Sequence, residues 1–169
     1  MKDCEEFRPS NPSQIVDFIE QAILKILERT EAARTAVGVL FFNVLKEKKF
    51  DTLSFTKALR NILETAEDMA IDVPKIATYL SQIIAPFVQK DASIEFLSEA
   101  CSPIKDTAIC AEFITEMLHY ASNRLGHSTV AEVFRTSNLK IHDFLQGVPN
   151  STQYIKEKVS IHSSNFTQN

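Results

Sequence analysis

The chain of 169 residues carries four histidines, His119, His127, His142 and His162, and three cysteines, Cys4, Cys101 and Cys110. One grouping has a spacing that suits metal chemistry. Glu116 and His119 form a Glu-x-x-His pair and Glu112 lies one helical turn earlier, so the three side chains share a face if the segment is helical. A carboxylate-bridged di-metal bundle uses that pair twice, with two further glutamates. The sequence holds a single copy, and the plainer reading is a half-buried histidine beside two glutamates. The cysteines are widely spaced, odd in number and lack Cys-x-x-Cys, so they read as free thiols of a reducing compartment. There is no Gly-x-Ser-x-Gly elbow and no His-Glu-x-x-His. With three glycines in all, a glycine-rich phosphate loop is excluded. No nucleophile stands at a defined spacing from a base. The expectation is a protein that is not an enzyme, with no cofactor and no bound metal.

Charge is patterned more informatively. From Glu64 to Asp72 the chain places Glu64, Glu67, Asp68 and Asp72 with no intervening Lys or Arg, and Arg60 and Lys75 flank the run. On one continuous helix, like charges three or four residues apart cost about 0.2–0.5 kcal/mol per pair. Near a helix C-terminus the macrodipole disfavours them further. Two readings relieve the cost. A basic partner docks on this turn, or Asp72 caps the next helix, worth about 1 kcal/mol, and the other carboxylates are simply solvated. Both hold together if a capping carboxylate keeps one oxygen outward. Lys46, Lys48 and Lys49 form a short basic cluster that reads as a solvated helix end, with an RNA phosphate contact as the alternative.

The elements that must position these residues are all helical. Alternating strand patterns are missing. Ile15, Phe18, Ile19, Ala22, Ile23 and Ile26 follow helical spacing after an Asn11-Pro12 start. A second helix is predicted from after Thr30 to about Lys48, apolar on several sides and therefore central. A third, after Asp51 and Thr52, runs its stripe from Phe55 to Met69. A fourth starts at the predicted N-cap Asp72, carries Pro74 in its first turn, and is kinked or ended by Pro86. A short helix follows Ser93, a long one opens at Asp106 and ends at Gly126, and shorter ones follow Ser128 and Gln153. Short connections predict antiparallel neighbours, hence stacked antiparallel helical hairpins in an all-α α-solenoid without a visible sequence period.

Composition bounds the rest. Hydrophobic residues make up 44% and charged residues 24% of the chain, and the formal charge is −4. These values suit one globular domain that needs no disulfide or metal to hold a core. The sequence pI is about 5.6, which disfavours binding nucleic acid mainly through phosphates. No export signal opens the chain, and no run approaches the roughly 20 apolar residues of a membrane span. The sequons at Asn150 and Asn165 are therefore read as unmodified, and the expected address is cytoplasmic.

The stretch Glu67-Asp68-Met69-Ala70-Ile71-Asp72-Val73-Pro74, followed by Tyr79-Leu80 and Ala85-Pro86, resembles the MA3 domain of the eukaryotic translation initiation factor 4 gamma family. Programmed cell death protein four, a related repressor, carries similar Asp-x-x-x-Asp-x-Pro segments. Glu28-Arg29 resembles the end of the family's early helix. Thr129 to Phe134 and Asp143 to Leu145 resemble the extension after the domain. The resemblance implies a stack of atypical HEAT-like helical hairpins that binds initiation factor 4A, an ATP-dependent DEAD-box RNA helicase, through an acidic inter-helix loop. Carried over by motif, Asp68 and Asp72 are the acidic contacts and Pro74 shapes the loop. Glu67 joins them from the charge pattern alone.

Within that resemblance, residues 1–11 read as the remnant of a first helix pair, 12–160 as the helical domain with its extension, and 161–169 as a flexible tail. The chain is expected to be a fragment of a longer scaffold. Gln21 stands where the repressor has a Glu, which removes one acidic contact. The leading expectation is a non-catalytic interaction module that modulates the helicase. It would act as a monomer, with mRNA reached indirectly through the complex and no membrane contact. The alternatives are a stand-alone repressor that sequesters the same helicase, an RNA-binding solenoid using Lys46, Lys48 and Lys49, and a helical metal enzyme using Glu112, Glu116 and His119.

Overall fold

The computed structural model describes residues 11–158. The expected remnant at 1–11, except Asn11, and the expected tail at 161–169 lie outside the described residues. Helix α1 (Pro12–Ile26) starts as Asn11-Pro12 predicts: the Asn11 side chain accepts from the Ser13 N–H at 3.0 Å. Helix α2 (Glu31–Lys46) is capped by Thr30, whose hydroxyl oxygen accepts from the Ala33 N–H at 3.3 Å. Helix α3 (Thr52–Glu64) is capped by Asp51, which accepts from the Ser54 N–H at 2.7 Å and from its hydroxyl at 2.8 Å. These bonds, the backbone one foremost, hold the Asp51 carboxyl below its ordinary pKa.

Helices α4 (Ala66–Asp72) and α5 (Ile76–Ile84) follow, and Pro86 ends α5 in a 3-10 turn over Ala85–Phe87. Then come α6 (Phe96–Ala100), α7 (Ala108–Leu125), α8 (His127–Thr136) and α9 (Ser151–Lys158). The cap of α7 is Thr107, not the expected Asp106: Thr107 is extended and its hydroxyl oxygen accepts from the Cys110 N–H at 3.2 Å. Gly126 ends α7 with φ +82°, the conformation that a residue without Cβ adopts freely. Asn150 is used as a helix cap, accepting from the Gln153 N–H at 3.1 Å. Among the described residues there is no strand, and no helix is long and apolar enough to cross a membrane. The protein is all-α.

The main packing runs between helices that are not neighbours in sequence. One file consists of α1 on α3 and α3 on α6, the other of α2 on α5 and α5 on α7; consecutive helices touch less, and α8 on α7 is the most extensive of those contacts. Phe55 lies in the middle of the core, stacked on Phe87 at 4.8 Å between ring centroids and ringed by Phe41 at 5.7 Å and Phe96 at 5.8 Å. The sequence predicts a central α2, but only Arg34, Gly38 and Phe41 of it are fully buried. Its outer face leaves Val39 41% and Leu40 57% exposed. The one-sidedness follows from how closely α2 lies on α5: a Cβ at Gly38 would stand 2.0 Å from the Ile83 carbonyl oxygen. That contact turns the opposite apolar side chains to the surface.

Candidate partner-docking site

The acidic run is not one helix. At Thr65 the backbone leaves helical geometry (ψ 4°), and the Thr65 hydroxyl donates to the Ile62 carbonyl at 3.1 Å. This local side-chain bond competes with helix continuation. The expected stripe from Phe55 to Met69 is therefore split between α3 and α4. Glu64 closes α3, and Glu67 and Asp68 fall in the first turn of α4, where the helix dipole favours anions. Only Asp68 and Asp72 remain a like-charged pair four residues apart on one helix.

Asp72 is the last residue of α4 and does not cap α5, which corrects the sequence expectation. The N-cap position of α5 is Lys75, and no side chain bonds the helix start there. The cause is Pro74, whose ring pushes the preceding residue out of the helical region. Val73 sits at φ −123°, ψ 77°, and the chain makes one turn, with the Ile76 N–H on the Val73 carbonyl at 2.9 Å, before α5 begins. A capping bond does not occupy the Asp72 carboxylate.

The result is an acidic ridge. Ala66 is buried and Met69, Ala70 and Val73 are half-buried against the core, while Glu67, Asp68, Asp72 and Pro74 are exposed. Ile71 stands between the acids, 81% exposed. It is four residues from Glu67 and three from Asp68, on their face of the helix. Among the described residues no Lys or Arg lies within ion-pair distance of Glu64, Glu67, Asp68 or Asp72; the ion pair found joins Lys49 to Glu47 at 2.8 Å.

Beside the ridge is a cleft of about 430 Å³ between the α1–α2 turn and the α4–α5 bend, lined by Glu28, Asp72, Pro74, Lys75 and Tyr79. Its back wall is fixed by Arg34, which is only 6% exposed. Arg34 Nη1 donates to the Leu27 carbonyl at 2.6 Å and to that of Arg29, and Nε donates to Gln82 Oε1 at 2.6 Å. Its guanidinium stacks 3.9 Å from the Tyr79 ring centroid. Gln82 in turn donates to the Tyr120 hydroxyl at 2.7 Å and to Glu31 at 3.3 Å. One cation thus ties the α1–α2 turn to α5 and α7, and brings Glu28 to the side of Asp72. Sequence reading missed this network. Its signal was two polar residues, Arg34 and Gln82, on faces otherwise filled by apolar ones.

The other candidates fall apart or become structural. Glu112, Glu116 and His119 are not assembled: among the described residues no group of three potential ligands could hold a metal. The His119 ring pairs with Asn123 at 3.1 Å. Glu112 and Glu116 flank the seat of α9 instead, where burial foremost raises the Tyr154 hydroxyl pKa and the two carboxylates add to the rise. Cys101 and Cys110 are buried free thiols. The neighbouring Cys110 thiol, and then burial, push Cys101 well above an ordinary thiol pKa.

The family model described as the MA3 domain matches residues 9–94, just over half of the chain. Curated relatives extend the likeness past α6. Eukaryotic translation initiation factor 4 gamma 3 of Mus musculus is 28% identical over 144 residues, 83% of this chain and 9% of the relative. Eukaryotic translation initiation factor 4 gamma 1 of Mus musculus is 28% identical over 151 residues, 88% of this chain and 9% of the relative. Eukaryotic translation initiation factor 4G of Arabidopsis thaliana is 21% identical over 158 residues, again 88% and 9%. The chain spans about a tenth of the length of these relatives.

Proposed function

The chain belongs to the MA3 domain family, and from that premise we propose that it is a non-catalytic docking module of translation initiation whose acidic ridge binds and modulates the initiation factor 4A helicase. The place in translation initiation follows the names of the relatives, which are initiation factors of the 4 gamma type. The helicase is the partner that the resemblance implies. Under this reading residues 12–160 are the domain, the two files of helices are stacked HEAT-like hairpins, and the site of action is the cytoplasm.

The observation that carries the reading is the ridge: Glu67, Asp68 and Asp72 exposed around Ile71, with no cation of the described chain paired to them. Solvent-exposed ion pairs contribute about 0–1 kcal/mol each. An apolar side chain amid acids changes that, because docking Ile71 excludes water from the charge pairs around it, as at the centre of an interface. Arg or Lys of the helicase would meet Asp68 and Asp72, and Pro74 holds the bend that presents them. The module acts on the helicase by binding one arrangement of its two lobes better than the other, and shifts the population by that difference alone.

Asp68→Lys with Asp72→Lys tests the site. Like-charge contacts at an interface cost several kcal/mol, so helicase affinity is expected to fall about a hundredfold or more. The thermal melt should stay within a few degrees, since neither carboxylate bonds a helix end. Binding that survives the double change at moderate salt defeats the assignment. The helicase's RNA-stimulated ATPase separates modulation in a scaffold from repression: a sequestering repressor lowers turnover, and a scaffold module does not.

A further inference from the structure

At the opposite end of α2 from the ridge, roughly 24 Å away for a helix of this length, lies a second cleft of about 480 Å³. It opens between the last turn of α2, the first residue of α3 and the segment leading from Phe87 into α6. Phe42, Leu45, Phe87 and Phe96 make its floor. Phe42 meets Phe87 edge-on at 5.9 Å, and Phe87 meets Phe96 at 5.6 Å. Lys46 and Lys90 stand exposed on its rim and pair with no described residue. Asp91 is the single carboxylate among the lining residues. The rim is positive on a chain whose net charge is −4, and Lys48 of the basic cluster is two residues beyond Lys46.

A concave, mostly apolar floor with a few convergent polar groups is the usual form of a binding cleft. We propose that this one docks an acidic segment of a partner protein that carries one bulky apolar side chain. That side chain enters over the phenylalanine floor, and the carboxylates on either side of it meet Lys46 and Lys90. Nucleic acid fits less well. Base stacking needs an open ring face, whereas Phe87 is buried and Phe42 and Phe96 are half-buried against it. None of these residues belongs to the acidic ridge, so failure here leaves the helicase reading untouched.

The test is selection of a random dodecapeptide phage library on the full chain, followed by anisotropy of the synthesised winner. The expected winners hold Phe, Leu or Met flanked by two or more Asp or Glu. The winner's affinity should drop about tenfold or more in Lys46→Glu with Lys90→Glu, and in Thr52→Trp, which fills the mouth from an exposed position. Circular-dichroism melts within a few degrees of the parent show that both variants fold. Failure to enrich any peptide, enrichment of basic or uncharged peptides, or equal binding by both variants overturns the proposal. So does a labelled oligouridine whose binding falls in Lys46→Glu with Lys90→Glu while no acidic peptide is enriched, a result that assigns the cleft to RNA.

Discussion

Replacing Arg34 by Met keeps most of the side-chain volume and removes every polar contact of the buried guanidinium. Three acceptors lose their donor: the Leu27 and Arg29 carbonyls and Gln82 Oε1. Arg29 lies in an exposed turn, where water replaces the lost donor. Leu27 and Gln82 are buried, and leaving each unpaired costs about 1–3 kcal/mol. The lost stacking on Tyr79 adds about 1 kcal/mol, and relief of the buried charge offsets part of the total. The net is about 3 kcal/mol. For a chain of this size each kcal/mol moves Tm by about 2–4 °C, so the melt should drop by about 6–12 °C. Arg34→Lys should recover less than half of that, because one ammonium cannot span the Leu27 carbonyl and Gln82 while stacking on Tyr79. Circular dichroism at 222 nm and urea titration read both variants. A melt within about 2 °C of the parent for Arg34→Met would refute the claim that this cation pins the α1–α2 turn to α5.

Three further outcomes are expected. Gly38→Ala should destabilise by about 2–3 kcal/mol, despite alanine's better helix propensity, since the new Cβ would stand 2.0 Å from the Ile83 carbonyl oxygen; a rise in Tm would contradict the close approach. Asp51→Ala should cost about 1 kcal/mol at pH 7 through the lost cap. The Asp51 carboxyl titrates lower when folded, so its stabilisation is present above its ordinary pKa of 3.8 and is lost as pH falls through the folded value; denaturant midpoints of parent and variant should converge below pH 3.8. Cys101 and Cys110 should resist N-ethylmaleimide in the native protein and react in urea, by peptide mapping, because both thiols are buried.

The all-α class was legible because the apolar stripes of α1, α3, α5 and α7 keep helical spacing, and the Asn11, Thr30 and Gly126 boundary signals act as local chemistry dictates. The exposure of the acidic residues was legible too, since they lie off the stripe that holds Ala66 and Met69. What misled was competition between neighbouring signals. Asp72 has the residue type of an N-cap, but Pro74 two residues later keeps Val73 out of the helical region and places the bend between Asp72 and α5. Thr65 splits a periodic stripe where its hydroxyl and its backbone N–H both turn to the Ile62 carbonyl. The outward face of α2 was hidden because the helix is apolar on several sides, and only contact with α5 at Gly38 decides which side is inside. The Arg34–Gln82 pair spans 48 residues of sequence, a separation at which no local pattern operates.

The central claim is that the exposed face of α4, with the bend after it, is where a cationic partner lands. Titration of the ¹⁵N-labelled chain with the purified helicase, read as amide shift and line-width changes, tests this most directly. The account predicts that the largest changes fall on Glu67 to Lys75 and on Glu28 and Arg29 across the cleft, and that they weaken as salt is raised. Changes centred on α7 to α9 or on the Lys46–Lys90 cleft, with the ridge unmoved, would contradict it.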